Sequence, residues 1–135
     1  MDYEALVNEV IEDLKQSFSE IMIGFEKESL RVEDYHISNS PHPLSLGSAI
    51  CNRFITTDFS ESQLELVTPP LIGNKNCIQA LDNIHHFVTS NIDSQILWPL
   101  SMPPEIRSDD DIPIAQYGNS FEGRFKHVYR VGLAN

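Results

Sequence analysis

The chain has 135 residues, room for one modest domain, and carries nine basic against twenty acidic residues for a formal net charge of -11. That balance argues against nucleic acid and anionic membrane as partners and suits metal and substrate cations, although a loop run such as Asp109-Asp110-Asp111 reads equally as solvated surface. Cys51 and Cys77 lack the spacing of a zinc site or a disulfide framework, no apolar run has the length of a membrane span, and Met1-Asp2-Tyr3-Glu4 lacks the basic start of a signal peptide, so a cytoplasmic protein with reduced thiols is expected.

In chain order, Leu6, Val7, Val10, Ile11, Leu14 and Phe18 recur at helical spacing and predict an amphipathic helix over residues 2–19, with Asp2 placed to cap it. Residues 21–32 read as the first strand, followed by a polar loop through Asp34-Tyr35-His36. A short helix or turn is expected over 45–53. Leu64 and Leu66 alternate with Gln63, Glu65 and Val67, which predicts a second strand over 62–68 with the leucines toward a core and Glu65 on the other face; Pro69-Pro70 ends it. Cys77, Leu81, Ile84, His85, Val88 and Ile92 mark a second helix over about 75–92, starting near Asn74 or Asn76. Residues 95–102 read as extended, with Trp98 as a core anchor, and Phe121, Phe125, Val128 and Tyr129 indicate a third helix. The fold class is α+β, in one domain. His36, His42 and His127 are isolated, with loop or surface roles, and His85 packs. His85 and His86 are adjacent on a helix and point apart, which excludes the i, i+4 pairing of helical zinc sites.

The chemistry concentrates in Gly24-Phe25-Glu26-Lys27-Glu28, where a strand ends in two carboxylates one residue apart and therefore on one face. Alone, this segment reads either as a strand running out into solvent or as half of a cation site, because like charges side by side are costly without a positive partner. The second strand adds Glu65, with Asp58 at the turn before it. If the two strands share a sheet with their acidic faces aligned, Glu26, Glu28, Asp58 and Glu65 form a hard-oxygen cluster of the kind that holds Mg2+. Glu61, in the same turn, reads as exposed. No Walker A or G-x-G-x-x-G motif is present, so any ATP is bound by other means.

GFEKESLRV, HPLSLGSAI, ITTDFSESQLELVTPP, LWPLSMPPE, IPIAQYGNS and FKHVYRVGL, in that order and spacing, resemble the N-terminal part of bacterial glutamate-cysteine ligase from about residue 20 onward. The resemblance implies part of a glutamine-synthetase-like antiparallel catalytic sheet flanked by helices. It implies the substrates ATP, glutamate and cysteine with Mg2+ as cofactor, and formation of γ-glutamylcysteine, the first step of glutathione synthesis, through a γ-glutamyl phosphate. Residue by residue, Glu26 and Glu28 fall on the two acids of the family's G-x-E-R-E-x-L-R, and Asp58 and Glu65 on those of T-T-D-F-x-E-x-x-L-E, the positions that hold magnesium. Tyr129 and Arg130 fall on F-K-x-x-Y-R-x-G-L, near the amino-acid substrates. Departures are Lys27 for the usual arginine, which keeps the charge but loses the fork, Phe25 for a smaller aliphatic residue, and Phe121-Glu122-Gly123 where the family tends to have shorter side chains and asparagine before the glycine. Because the family's enzymes are several times longer, the chain is expected to be a fragment, a truncated product or one piece of a split enzyme, inactive alone. The rival expectation is a non-catalytic binding or assembly module that complements a separate C-terminal chain.

Overall fold

The computed structural model describes residues 3–134. In chain order its elements are helix α1 (Tyr3–Ser19), strands β1 (Met22–Ile23), β2 (Glu26–Glu33), β3 (His36–Ile37), β4 (Ile55–Thr57), β5 (Gln63–Val67) and β6 (Leu71–Ile72), helix α2 (Asn74–Thr89), strand β7 (Ile96–Leu97) and helix α3 (Phe121–Ala134), with single 3-10 turns at Leu44–Leu46 and Asp109–Asp111. The architecture is α+β and every paired strand is antiparallel.

β2 is the spine, pairing with β5, β3 and β7, while β4 extends the sheet beyond β5. Period-2 alternation then sorts the side chains. Ile55, Leu64 and Leu66 point to one face, where Leu46, Val88, Ile92 and Leu97 complete the core and Leu81 and Ile84 of α2 close it. Each such side chain contributes about 2 kcal/mol on burial, so this face fixes the register of β5. Lys27, opposite Leu66, lies on the α2 side of the sheet beside the half-buried His85, whose imidazole is pulled down by burial and by that ammonium.

The expected strand over 21–32 is broken. Thr68 captures Phe25, its hydroxyl accepting the Phe25 N–H at 2.8 Å and its own N–H donating to the Phe25 carbonyl at 2.9 Å. The residues before this clasp leave as β1 to pair with β6 on the far side of Pro69-Pro70. Residues 34–36, expected as loop, hold a tight hairpin instead: Glu33 pairs with His36 across Asp34 and Tyr35, both at positive φ (48° and 68°). Such a two-residue turn is usually announced by Asn-Gly or Asp-Gly, so Asp34-Tyr35 gave no signal. Helix α2 begins at Asn74, directly after Gly73 at φ 83°.

Helices α1 and α3 form as expected and leave their apolar residues uncovered. The apolar stripe of α1 forms but no side chain on it is buried, and Asp2 lies outside the described residues. In α3 the apolar residues that announced the helix, Phe121, Phe125, Val128 and Tyr129, face outward, while Gly123, Lys126, His127 and Arg130 face the rest of the molecule. Gly123 makes this docking fit, because a Cβ there would lie 2.3 Å from the Tyr117 carbonyl oxygen. Among the described residues no helix is long and apolar enough to cross a membrane.

Candidate metal and substrate site

Antiparallel register sets Glu28 directly opposite Glu65, and Glu26, two residues away on β2, shares their face; Thr56 of β4 opposes Glu65 from the other side. This is the face away from the leucine core. Glu26 and Glu28 are exposed and Glu65 is half-buried. The Glu65 carboxyl is pushed above the ordinary carboxylate range by burial and then by the charges of Asp58, Glu26 and Glu28, with Lys126 acting the other way. Three carboxylates thus crowd one strip of sheet against a single nearby ammonium. As donors they suit a hard divalent cation, which would relieve the repulsion felt at Glu65. Their side chains are not gathered into a shell: among the described residues no three Asp, Glu, His or Cys groups are drawn together closely enough to hold a metal.

Asp58, just after β4, is turned to a different partner. One of its carboxylate oxygens accepts from the Arg130 guanidinium in a close ion pair, and its backbone carbonyl accepts from the Tyr117 hydroxyl. Arg130 also lies over the Phe59 ring, 5.8 Å from its centroid. Two sequence candidates of opposite charge therefore occupy each other. Tyr129, next to Arg130 but about 100° around the helix, is exposed and stands apart from both.

Sequence reasoning missed several groups. Lys126 reaches inward from α3, its ammonium 4.2 Å from the Tyr117 ring centroid; burial and Arg130 pull its pKa down while Asp58 and Glu65 hold it up. Gln63 donates from Nε2 to Glu28 Oε2 at 2.7 Å. Trp98, expected as a core anchor, is only half-buried and lines a cleft of about 330 Å³ with Leu30, Met102 and Pro103, bordered by Glu28 and Gln63.

Glu61 is the clearest correction. Expected to be exposed, it is 4% exposed. Its N–H donates to the Pro113 carbonyl, its Oε1 accepts the Gln116 N–H at 2.9 Å, and its carbonyl accepts from the fully buried Arg31. Burial pushes its carboxyl up, and the Gln116 N–H and Arg31 oppose that. Glu61 thereby staples residues 113–116, the approach to α3, onto the turn that carries Asp58. His42 lies in a loop as expected but is half-buried, its Nδ1 2.7 Å from Thr57 Oγ1, whereas His127 leaves the expected loop or surface role, half-buried on α3 with Nδ1 2.9 Å from the Ala115 carbonyl. Both cysteines are free.

Comparison with known proteins gives this face a context. The sequence model of the glutamate-cysteine ligase family matches residues 8–135. A glutamate-cysteine ligase of Wigglesworthia glossinidia brevipalpis is 48% identical over 126 residues, 93% of this chain and 25% of that protein; one from Pseudomonas putida W619 is 49% identical over 112 residues, 82% of this chain and 21% of the relative. Among solved structures, a Francisella tularensis glutamate-cysteine ligase in complex with AMP superposes with a TM-score of 0.81 at 40% identity, covering 87% of this chain and 24% of that one. A bifunctional glutathione synthetase from Pasteurella multocida superposes with a TM-score of 0.77 at 35% identity, over 91% and 16%. The chain spans about a quarter of the length of the curated relatives it matches. With the motif order, the antiparallel acidic sheet and the matched span in agreement, the chain belongs to the glutamate-cysteine ligase family.

Proposed function

We propose that this chain supplies the acidic half of a catalytic site that joins the γ-carboxylate of L-glutamate to the amine of L-cysteine at the expense of ATP. The observation that carries the reading is the pairing of Glu28 with Glu65 and the placement of Glu26 on the same face. Glu26, Glu28 and Glu65 would hold Mg2+, with Asp58 joining them once released from Arg130. Bound there, the cation supplies neutralisation of phosphate charge while the γ-phosphoryl group moves to the glutamate carboxylate, and the cysteine amine then displaces phosphate from the acyl phosphate. Lys126 and Arg130, at i and i+4 on the inner face of α3, offer fixed positive charge to anionic substrate groups beside the acids; the Arg130 fork suits a carboxylate. Positioning and electrostatics suffice for such a reaction, and no protein nucleophile is needed.

The test is complementation. Produced together with the remaining three quarters of a family relative, the chain should support ATP cleavage that requires both glutamate and cysteine, and alone it should support none. Failure of the pair, where the same portion works with its own N-terminal segment, would contradict the proposal. A second reading, an assembly module that complements a separate C-terminal chain without taking part in chemistry, is favoured by the outward apolar face of α3 and the uncovered stripe of α1. It expects a stable complex whose turnover is unchanged by Glu65→Gln.

A further inference from the structure

We infer that Tyr117 is a positioning residue for substrate binding, its ring holding the Lys126 ammonium open to the carboxylate of an amino-acid substrate; this rests on the proposed role of the inner face of α3. Lys126 is half-buried, and the charges of Asp58 and Glu65 draw on it. A flexible four-carbon stem lets such an ammonium close on either acid, and an ion pair there would spend the charge that a substrate needs. The side chain does not close. Its Nζ lies over the Tyr117 ring, 4.2 Å from the centroid, and among the described residues it forms no salt bridge. Arg130, one turn further on, is already engaged by Asp58, so of these two inner-face cations Lys126 is the one without a carboxylate partner.

A ring directs a cation only where the ring itself is fixed. Tyr117 is 5% exposed and packs with Ala49 and Ala115. Its hydroxyl donates to the Asp58 carbonyl and lies beside the Arg130 guanidinium. Its own carbonyl is the surface on which Gly123 seats α3. One residue thus sets the height of α3 through its main chain and the direction of Lys126 through its ring. The attraction of a partly desolvated ammonium to an aromatic face corresponds to about a 5- to 30-fold preference for that position.

The experiment has two arms. In the chain alone, nuclear magnetic resonance should show the Lys126 side-chain signals displaced by the ring current of Tyr117, restored to ordinary lysine positions in Tyr117→Leu and still displaced in Tyr117→Phe. In the chain combined with the remaining three quarters of a family relative, Tyr117→Leu should raise the KM for one of the two amino acids about 5-fold, with kcat and the KM for ATP little changed, the pattern of lost binding rather than lost fold. Tyr117→Phe, which keeps the ring, should bring that KM back to within about 2-fold of the parent. Lys126 signals that ignore loss of the ring, or a fall in kcat with every KM unchanged, would overturn the role of Tyr117 and leave the inner face of α3 intact as a substrate surface. A rise in the KM for ATP alone would assign Lys126 to phosphate and overturn the carboxylate. Lys126 signals that respond as expected while Tyr117→Leu and Lys126→Met both leave every KM unchanged would contradict the substrate role of the face itself.

Discussion

His42 should make the stability of this fold fall as pH drops through the range where histidine ordinarily titrates. Burial, followed by the Arg31 charge, pulls its imidazole from 6.5 to about 4. The unfolded chain therefore takes up a proton near pH 6.5 that the folded chain refuses until about pH 4; between those values the unfolded state binds more protons, and stability is lost on acidification. A difference of that size corresponds to roughly 3.5 kcal/mol at about 1.4 kcal/mol per decade, and solvent reaching a half-buried ring reduces this to about 2 kcal/mol. Glu61 and Glu65, whose carboxyls are raised, contribute with the opposite sign, binding protons more readily folded than unfolded. The control is His42→Asn, which retains a hydrogen-bonding group for Thr57 and does not titrate. Urea unfolding at pH 7.5 and 4.5 should show the parent chain losing about 2 kcal/mol more than the variant. Parallel losses in the two proteins would refute the argument and mean that the folded imidazole protonates as freely as the unfolded one.

Further outcomes follow from single contacts. Glu61→Ala should cost about 3 kcal/mol in chemical denaturation, since it orphans the Gln116 N–H and leaves the Arg31 charge without its neighbouring carboxylate; a loss below about 0.5 kcal/mol would mark Glu61 as a surface residue after all. Gly123→Ala should lift α3 from the Tyr117 carbonyl and break the contacts of Lys126 and Arg130, seen as faster amide exchange over residues 121–131 with α2 unaffected. Tyr35→Gly, at φ 68°, should stabilise the β2–β3 hairpin by about 0.5–1 kcal/mol, the relief of left-handed strain less the added chain entropy, measured as a rise in the urea midpoint.

What could be read from sequence was what local periodicity controls. The alternation of Leu64, Glu65 and Leu66 set the two faces of β5 correctly, and the one-residue spacing of Glu26 and Glu28 put them on a common face because strand geometry permits nothing else. The run from Cys77 to Val88 gave α2 within a few residues. Long-range partners were invisible. Glu61 looked like a turn acid because its acceptor role depends on Gln116, 55 residues later; Asp58 looked like a free ligand because Arg130 is 72 residues away. For α3 the apolar spacing found the helix but carried no information on its docking: Lys126 and Arg130 face Asp58 and Glu65 while the phenylalanines stay outside. The strand β3 escaped because its turn uses Asp34-Tyr35, a pair with no glycine to announce positive φ.

The claim on which the functional account stands is that a divalent cation seats on the face shared by Glu26, Glu28 and Glu65. The most direct measurement is a Mn2+ titration of the chain followed by paramagnetic broadening of its backbone amide resonances. The account predicts that signals from residues 26–28 and 64–66 broaden first, that those of 109–111 persist to higher Mn2+, and that Glu65→Gln abolishes the preference. Broadening centred on Asp109-Asp110-Asp111, or spread evenly over the acidic surface and unchanged by Glu65→Gln, would contradict it.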